Sequence, residues 1–368
     1  MKPNIWIFSL EPIETRYTAQ WHEHLPKLLS KKLGDRFNVI QVDGVQKNSQ
    51  TTPGAFLNFS DTNYWKSSQL CNFLEYHNQG KTTKNDHIVL TDSWNPVVTQ
   101  LKYMNDLLGF NWKLHGLWHA GSYDPQDFLG RLIGNSAWVR HAEKSFFNSF
   151  DHNYFATEFH IDLFFKELIN NGSISENPWY EEDKEDLLNE KKIVRTGWPM
   201  EYMDQVLTPY KGMPKKDLIL FPHRIAPEKQ VEIFRDLKEH LPQYEFVVCQ
   251  DQQLTKNEYH NLLGEAKLVF SANLQETLGI SWYEGALVDA IPMVPDRLSY
   301  SEMAMADFKY PSEWTESFSS YTVHRHDICH KIDQYMKNYE KFLPSLNKQR
   351  DMLTANYFSA SGLINNIV

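Results

Sequence analysis

Two doubly wound α/β domains joined by a hinge are what this sequence predicts. Short apolar runs alternate with helical periods along most of the chain, the pattern of parallel strands with crossover helices. A proline- and glycine-bearing stretch, "GWPMEYMDQVLTPYKGMPKK" (197–216), separates one alternating series from a second. The length of 368 residues and the 41% hydrophobic content suit two cores better than one.

In the first series, "NIWIFSL" (4–10) predicts a strand, residues 18–33 a helix that Pro26 kinks or divides, and "FNVIQV" (37–42) a second strand. Residues 66–78 predict a helix with Leu70, Phe73 and Leu74 on one face. "DHIVLTD" (86–92) is a strand, and 95–109 a helix between an Asn and a Gly. "KLHGLWH" (113–119) and "HNYFATEF" (152–159) are further strands, and the acidic stretch 170–192 reads as a surface excursion. In the second series, strands are expected at 217–223, 244–250, 267–272 and 291–295, with helices over 228–241, 255–265 and 278–290. The tail, 328–368, reads as mostly helical. The expected division is 1–196 for the first domain, 197–216 for the linker and 217–340 for the second domain. Residues 341–368 form a helical tail that packs back on the first.

The charge is −10, which argues against a generally basic, nucleic-acid-coating surface. Three separated cysteines make no disulfide framework and point to a reducing, cytoplasmic setting. No apolar stretch reaches the length of a signal peptide core or a membrane span. "HRHDICH" (324–330) matches no zinc spacing, and Asp327 reads as a helix start. Walker, GxGxxG, HExxH and GxSxG patterns do not occur.

The chemistry concentrates in "NLQETLGISWYEGALVDAIPMVP" (273–295). Glu276 sits in a loop after a strand, and a helix is expected to begin near Leu278 and Gly279. The first amides there, of Leu278, Gly279 and Ile280, suit a phosphate. Gly279 would let a ligand approach the backbone. Glu284, one to two turns on, can accept two hydrogen bonds from a ribose diol. In "FPHRIAPEKQ" (221–230), Arg224 and Lys229 supply the cations that a departing nucleoside diphosphate needs.

"QETLGISWYEGALVDAIPMVP" resembles the E-x7-E signature of retaining glycosyltransferases of the GT4 type, which have the two-domain GT-B fold. "HRIAPEK" resembles that family's diphosphate clamp. "FPHRIAPEK" and "PDRLSYSEM" (295–303) are similar to the queuosine-tRNA mannosyltransferase branch and to phage glycosyltransferases that decorate hydroxymethylated DNA. The likeness spans about 215–305 and extends to the first half only as architecture.

The resemblance implies two Rossmann-like domains facing across a cleft, the second holding a UDP- or GDP-sugar and the first an acceptor. It implies Glu284 on the ribose, Glu276 on the donor sugar, and Leu278 and Gly279 amides on the phosphates. Arg224 and Lys229 would clamp those phosphates. It implies His119, in "GLWHAGSYD" (116–124), as a contact to the donor sugar. No cofactor or metal is expected beyond the nucleotide sugar. The family has glycines after its first strand, whereas this chain has "SLEPIETRYTAQW" (9–21). Glu11, Glu14, Thr15, Arg16 and Tyr17, with Asp92, are therefore the expected acceptor residues. The acceptor implied is a modified pyrimidine in phage-type DNA or a tRNA base, in the host cytoplasm if the chain is phage-encoded. A glycan, lipid or small-molecule acceptor, a sugar-nucleotide epimerase, and a non-catalytic binding protein on the same fold remain alternatives. The oligomeric state is not readable.

Overall fold

The structure is a computed structural model that describes residues 2–14, 16–47, 49–50, 57–169 and 184–368. Its contacts divide the chain into two compact units. The first is Met1–Met200 with Ala360–Val368, and the second is Glu201–Ser359.

The strands of the first unit are β1 (Asn4–Phe8), β2 (Asn38–Val42), β3 (His87–Leu90), β4 (Lys113–Trp118), β5 (His152–Phe155) and β6 (Ile193–Arg195). Its helices are α1 (Tyr17–Leu33), α2 (Phe59–Asn78), α3 (Val97–Leu107), α4 (Phe128–Ile133), α5 (Ala137–Ser149), α6 (Glu158–Phe164) and α7 (Lys184–Asn189). The sheet is wholly parallel, in the order β2-β1-β3-β4-β5-β6. Every residue of β1 is buried, as a strand covered on both faces requires. Trp6, Phe8, Phe73, Ile88, Leu90, Trp112 and Trp118 belong to the core on it.

Several elements depart from expectation. Pro26 neither divides nor ends α1. Thr18, Trp21, Leu25, Leu29 and Leu33 recur at helical spacing on its buried side, and that packing outweighs the one backbone bond that Pro26 cannot make. α2 begins seven residues before the expected 66, because Asn58 caps the amides of Ser60 and Asp61. Residues 170–183 of the expected excursion lie outside the described residues, and 184–189 form α7.

The second unit opens with α8 (Tyr202–Leu207), inside the stretch expected as linker. Its strands are β7 (Lys216–Phe221), β8 (Glu245–Val248), β9 (Ala266–Phe270), β10 (Ile291–Pro295) and β11 (Lys309–Tyr310). They form a parallel sheet in the order β11-β10-β9-β7-β8. The helices are α9 (Val231–His240), α10 (Lys256–Glu265), α11 (Ile280–Leu287), α12 (Tyr300–Met303), α13 (Phe318–Lys337) and α14 (Tyr339–Asn356). α10 starts where Thr255 and Glu258 cap one another's backbone reciprocally. The expected tail is split between the units. α14 stays in the second, and α15 (Ser361–Ile367) belongs to the first.

Both sheets share one topology. From the first strand the chain steps to one side, then crosses to the other. The crossing points are β1/β3 and β7/β9, and ligands of such sheets bind at the carboxyl ends of the strands there.

Candidate active site

Two loops leave the carboxyl ends of β7 and β9, residues 222–230 and 271–279. They bring together the groups expected to grip a diphosphate. Lys229 Nζ donates to the carbonyl of Gln275 at 2.6 Å and lies 3.4 Å from Glu276 Oε2. The Leu274 amide donates to the Glu228 carbonyl at 2.8 Å, stitching the two loops. Asn273 Nδ2 donates to Glu276 Oε2 at 3.2 Å. Arg224 donates to Glu228, whose side chain is fully buried. The two cations therefore already face two carboxylates. Arg224 is aimed by a buried partner, and Lys229 sits between loop carbonyl and Glu276.

α11 begins at Ile280, slightly later than expected, with Gly279 as its N-cap. Leu278 is buried just ahead of it. Gly279 has φ 81° and ψ 70°, the left-handed region, and a Cβ there would stand 2.3–2.4 Å from the Trp282 ring. Only glycine fits. Gly279 has no side chain with which to cap the first amides of α11. Ser281 Oγ lies 3.3 Å from His223 Nδ1, linking that turn to the β7 loop. Burial drives His223 down to about 3, so the ring is neutral.

Glu284, on α11, accepts the Tyr259 hydroxyl at 2.8 Å. Burial raises its carboxyl from 4.5 to about 7, against that hydrogen bond and the field of Lys256. After β8, the Gln250 side chain accepts the Ile225 amide of the β7 loop.

The corresponding end of the first unit is more closed than expected. His119 follows β4, and its Nε2 lies 2.6 Å from the Thr91 carbonyl. A carbonyl only accepts, so Nε2 carries the proton. Burial takes the ring down to about 4, leaving it neutral, and Nδ1 then accepts the Tyr17 hydroxyl at 3.0 Å. Trp198 covers the ring at a centroid distance of 3.9 Å, and Trp21 stacks on Trp198. His119 thus has both nitrogens engaged, and Tyr17 is the side chain it holds.

Asp92, expected on the acceptor side, has both carboxylate oxygens engaged. Oδ1 accepts the Trp94 amide at 3.1 Å, and Oδ2 takes Lys66 Nζ at 2.9 Å. Glu11 is buried, and burial together with Asp61 raises its carboxyl. Glu14 is exposed, Arg16 precedes α1, and Thr15 lies outside the described residues.

Sequence reasoning missed Lys66, Glu143, Glu228 and Tyr259. Glu143 accepts from the Ser122 amide (2.6 Å), the Ser122 hydroxyl (2.7 Å) and Trp94 Nε1 (2.9 Å), and so ties together the loops after β3 and β4. Only Glu228 had a signal, its place between the two clamp cations in "RIAPEK". "HRHDICH" lies inside α13. Among the described residues no group of three or more His, Cys, Asp or Glu could hold a metal ion, and no helix is long and apolar enough to cross a membrane.

No protein-family model matches the chain, and no curated protein sequence does. Solved structures do. Sucrose-phosphate synthase from Thermosynechococcus elongatus is similar with a TM-score of 0.58 at 11% identity, over 100% of this chain and 97% of that one. WaaG, a glycosyltransferase of lipopolysaccharide biosynthesis, gives 0.55 at 11% identity over 99% of both chains. The catalytic domain of starch synthase IV from Arabidopsis thaliana, bound to ADP and acarbose, gives 0.54 at 11% identity over 99% and 97%. The fold is the GT-B fold. Two parallel-sheet Rossmann-like domains were the expectation, and that is the architecture found.

Proposed function

We propose that this chain is a glycosyltransferase. It takes a sugar from a nucleoside-diphosphate donor held by the second unit and passes it to a hydroxyl acceptor. The observation that carries the reading is the meeting of Arg224, Lys229, Glu276 and the Gly279-capped start of α11 at the β7/β9 crossing point. Cations, uncapped amides and a glycine that admits close approach are what a diphosphate needs. Two carboxylates beside them suit the hydroxyls of a ribose and a sugar.

In this reading Arg224, Lys229 and the α11 amides stabilise the charge that develops on the leaving diphosphate. Glu276 orients the sugar and Glu284 the ribose. The sugar C1–oxygen bond to the phosphate breaks, and the acceptor oxygen forms the new bond on the same face. The acceptor proton passes to the leaving phosphate oxygen, and the same-face attack retains the configuration. The protein's own cations serve the diphosphate, and a metal is not required. On the acceptor side, Tyr17 presents the hydroxyl and His119 acts through it.

The likeness of "FPHRIAPEK" and "PDRLSYSEM" to nucleic-acid-modifying transferases supports a hydroxymethylated pyrimidine in DNA, or a tRNA base, as acceptor. Such a base would be flipped out of the stack or modified as a single strand.

The test is a thermal-shift panel of UDP, GDP, ADP and CMP on the wild type, Arg224→Ala and Glu284→Ala. At about 100 times its dissociation constant a ligand stabilises by about 2.7 kcal/mol. One diphosphate should shift the wild type and neither variant. Its sugar conjugate is then offered hydroxymethylated DNA and tRNA. A chain that binds none of the four nucleotides is not this enzyme.

A further inference from the structure

"PDRLSYSEM" has a resemblance but no role in the reading above, and the structure gives it one. The segment leaves β10 and folds back against the 271–277 loop that carries Glu276. Leu298 has φ 56°, a left-handed conformation that leucine adopts only where its surroundings impose it. On either side of it stand Arg297 and Tyr300.

The Arg297 guanidinium is a five-bond hub. Nε donates to the Asn273 carbonyl at 2.8 Å and Nη1 to the Ser312 carbonyl at 2.8 Å. Nη2 donates to the Ala272 carbonyl at 2.9 Å, to the Thr315 carbonyl at 3.1 Å and to Thr315 Oγ1 at 3.0 Å. It thereby fastens the start of the Glu276 loop to the turn at 312–315. A planar fork of donors meets this set of acceptors, and a lysine ammonium cannot match its spread.

The fully buried Tyr300 acts on the side chains instead. Its hydroxyl lies 2.9 Å from Asn273 Nδ2 and 3.0 Å from Ser271 Oγ. The same Asn273 amide nitrogen donates to Glu276 Oε2. Asn273 is fully buried, so its orientation, and that of the carboxylate it holds, depends on these partners.

We propose that Arg297 and Tyr300 are positioning residues for Glu276. Arg297 fixes the backbone of the loop, and Tyr300 fixes the carboxylate through Asn273. This rests on the reading of Glu276 as the group that faces the donor sugar. Neither residue touches the diphosphate clamp directly, so removing either should cost turnover while sparing diphosphate affinity.

The experiment compares Arg297→Lys, Arg297→Ala and Tyr300→Phe with the wild type in the full chain. It measures nucleoside-diphosphate affinity, melting temperature, and kcat and KM for release of diphosphate from UDP-glucose, GDP-mannose or ADP-glucose, whichever the wild type turns over. A displacement of about 1 Å in an orienting group costs on the order of a hundredfold in rate. Tyr300→Phe should lower kcat by roughly ten- to a hundredfold and leave diphosphate affinity within about threefold. Arg297→Lys should fall between wild type and Arg297→Ala. Wild-type turnover in Tyr300→Phe and Arg297→Lys would overturn the proposal and leave the donor reading standing. So would losses of kcat and diphosphate affinity that move together with the melting temperature. A wild type that binds no diphosphate, or binds one and turns over none of the donors, would overturn the role of Glu276 and the positioning role with it.

Discussion

With Glu284 on the donor ribose, as proposed, a buried proton is linked to ligand affinity. The Glu284 carboxyl is lifted to about 7 by burial. A ribose diol donates hydrogen bonds and favours the carboxylate, whereas the neutral acid must give up one of its acceptor positions to a proton. With a midpoint near 7, about nine-tenths of the groups are ionised at pH 8 and about one-tenth at pH 6. The dissociation constant for a nucleoside diphosphate should therefore rise about tenfold from pH 8 to pH 6, or about 1.4 kcal/mol. The ligand's own terminal phosphate also titrates near pH 6, so the comparison is with Glu284→Gln, which keeps the ligand and removes the protein's proton. Calorimetry at several pH values, in buffers of different ionisation enthalpy, measures both affinity and proton release. Tyr259→Phe removes a donor that favours the carboxylate, so the midpoint should move upward. An identical pH slope in the wild type and Glu284→Gln would refute the reasoning.

Gly279→Ala forces a side chain into the left-handed region and against Trp282. It should cost about 1–3 kcal/mol and abolish diphosphate binding, read by melting temperature and titration. Lys66→Met leaves Asp92 with an uncompensated charge in a largely buried setting. It should cost about 3 kcal/mol in denaturant unfolding, most of it recovered by adding Asp92→Asn. The buried histidines set the acid limit. His87 and His119 are held down to about 4, and His160 and His223 to about 3, from 6.5, chiefly by burial. An unfolded histidine takes up its proton below 6.5, while these wait until about 3–4, so the unfolded state binds more protons across that window. Stability present above pH 6.5 should be lost as the pH falls through 4. Glu284 works the other way: its folded value is raised, so its contribution is full below 4.5 and lost as the pH rises through 7. The histidines outnumber it, and the melting temperature should fall between pH 6.5 and 4. A flat or rising profile would contradict the assignment.

Much of the second unit was legible because its strands are short apolar runs bounded by Pro, Gly and Asn. The loop after β9 announced itself through Glu276, Gly279 and Glu284. What sequence concealed were contacts made at long range. The tautomer of His119 is set by Thr91 and by Tyr17, 28 and 102 positions away. The pairing of Asp92 depends on Lys66 from α2, whose lysine looks in sequence like any solvated helix charge. Pro26 signalled a break, and a five-residue buried stripe on α1 overrode it. Arg297 stood in a quoted motif, but its five acceptors come from four residues in two separate segments, which periodicity does not reveal.

The most direct measurement is backbone hydrogen exchange across the full chain, with and without the tightest-binding of UDP, GDP and ADP. A diphosphate seated on Arg224, Lys229 and the start of α11 should slow exchange over 222–230 and 271–284, and Arg224→Ala should remove that protection. Binding that protects neither stretch, or no binding of any of the three, would contradict a donor site at the β7/β9 crossing.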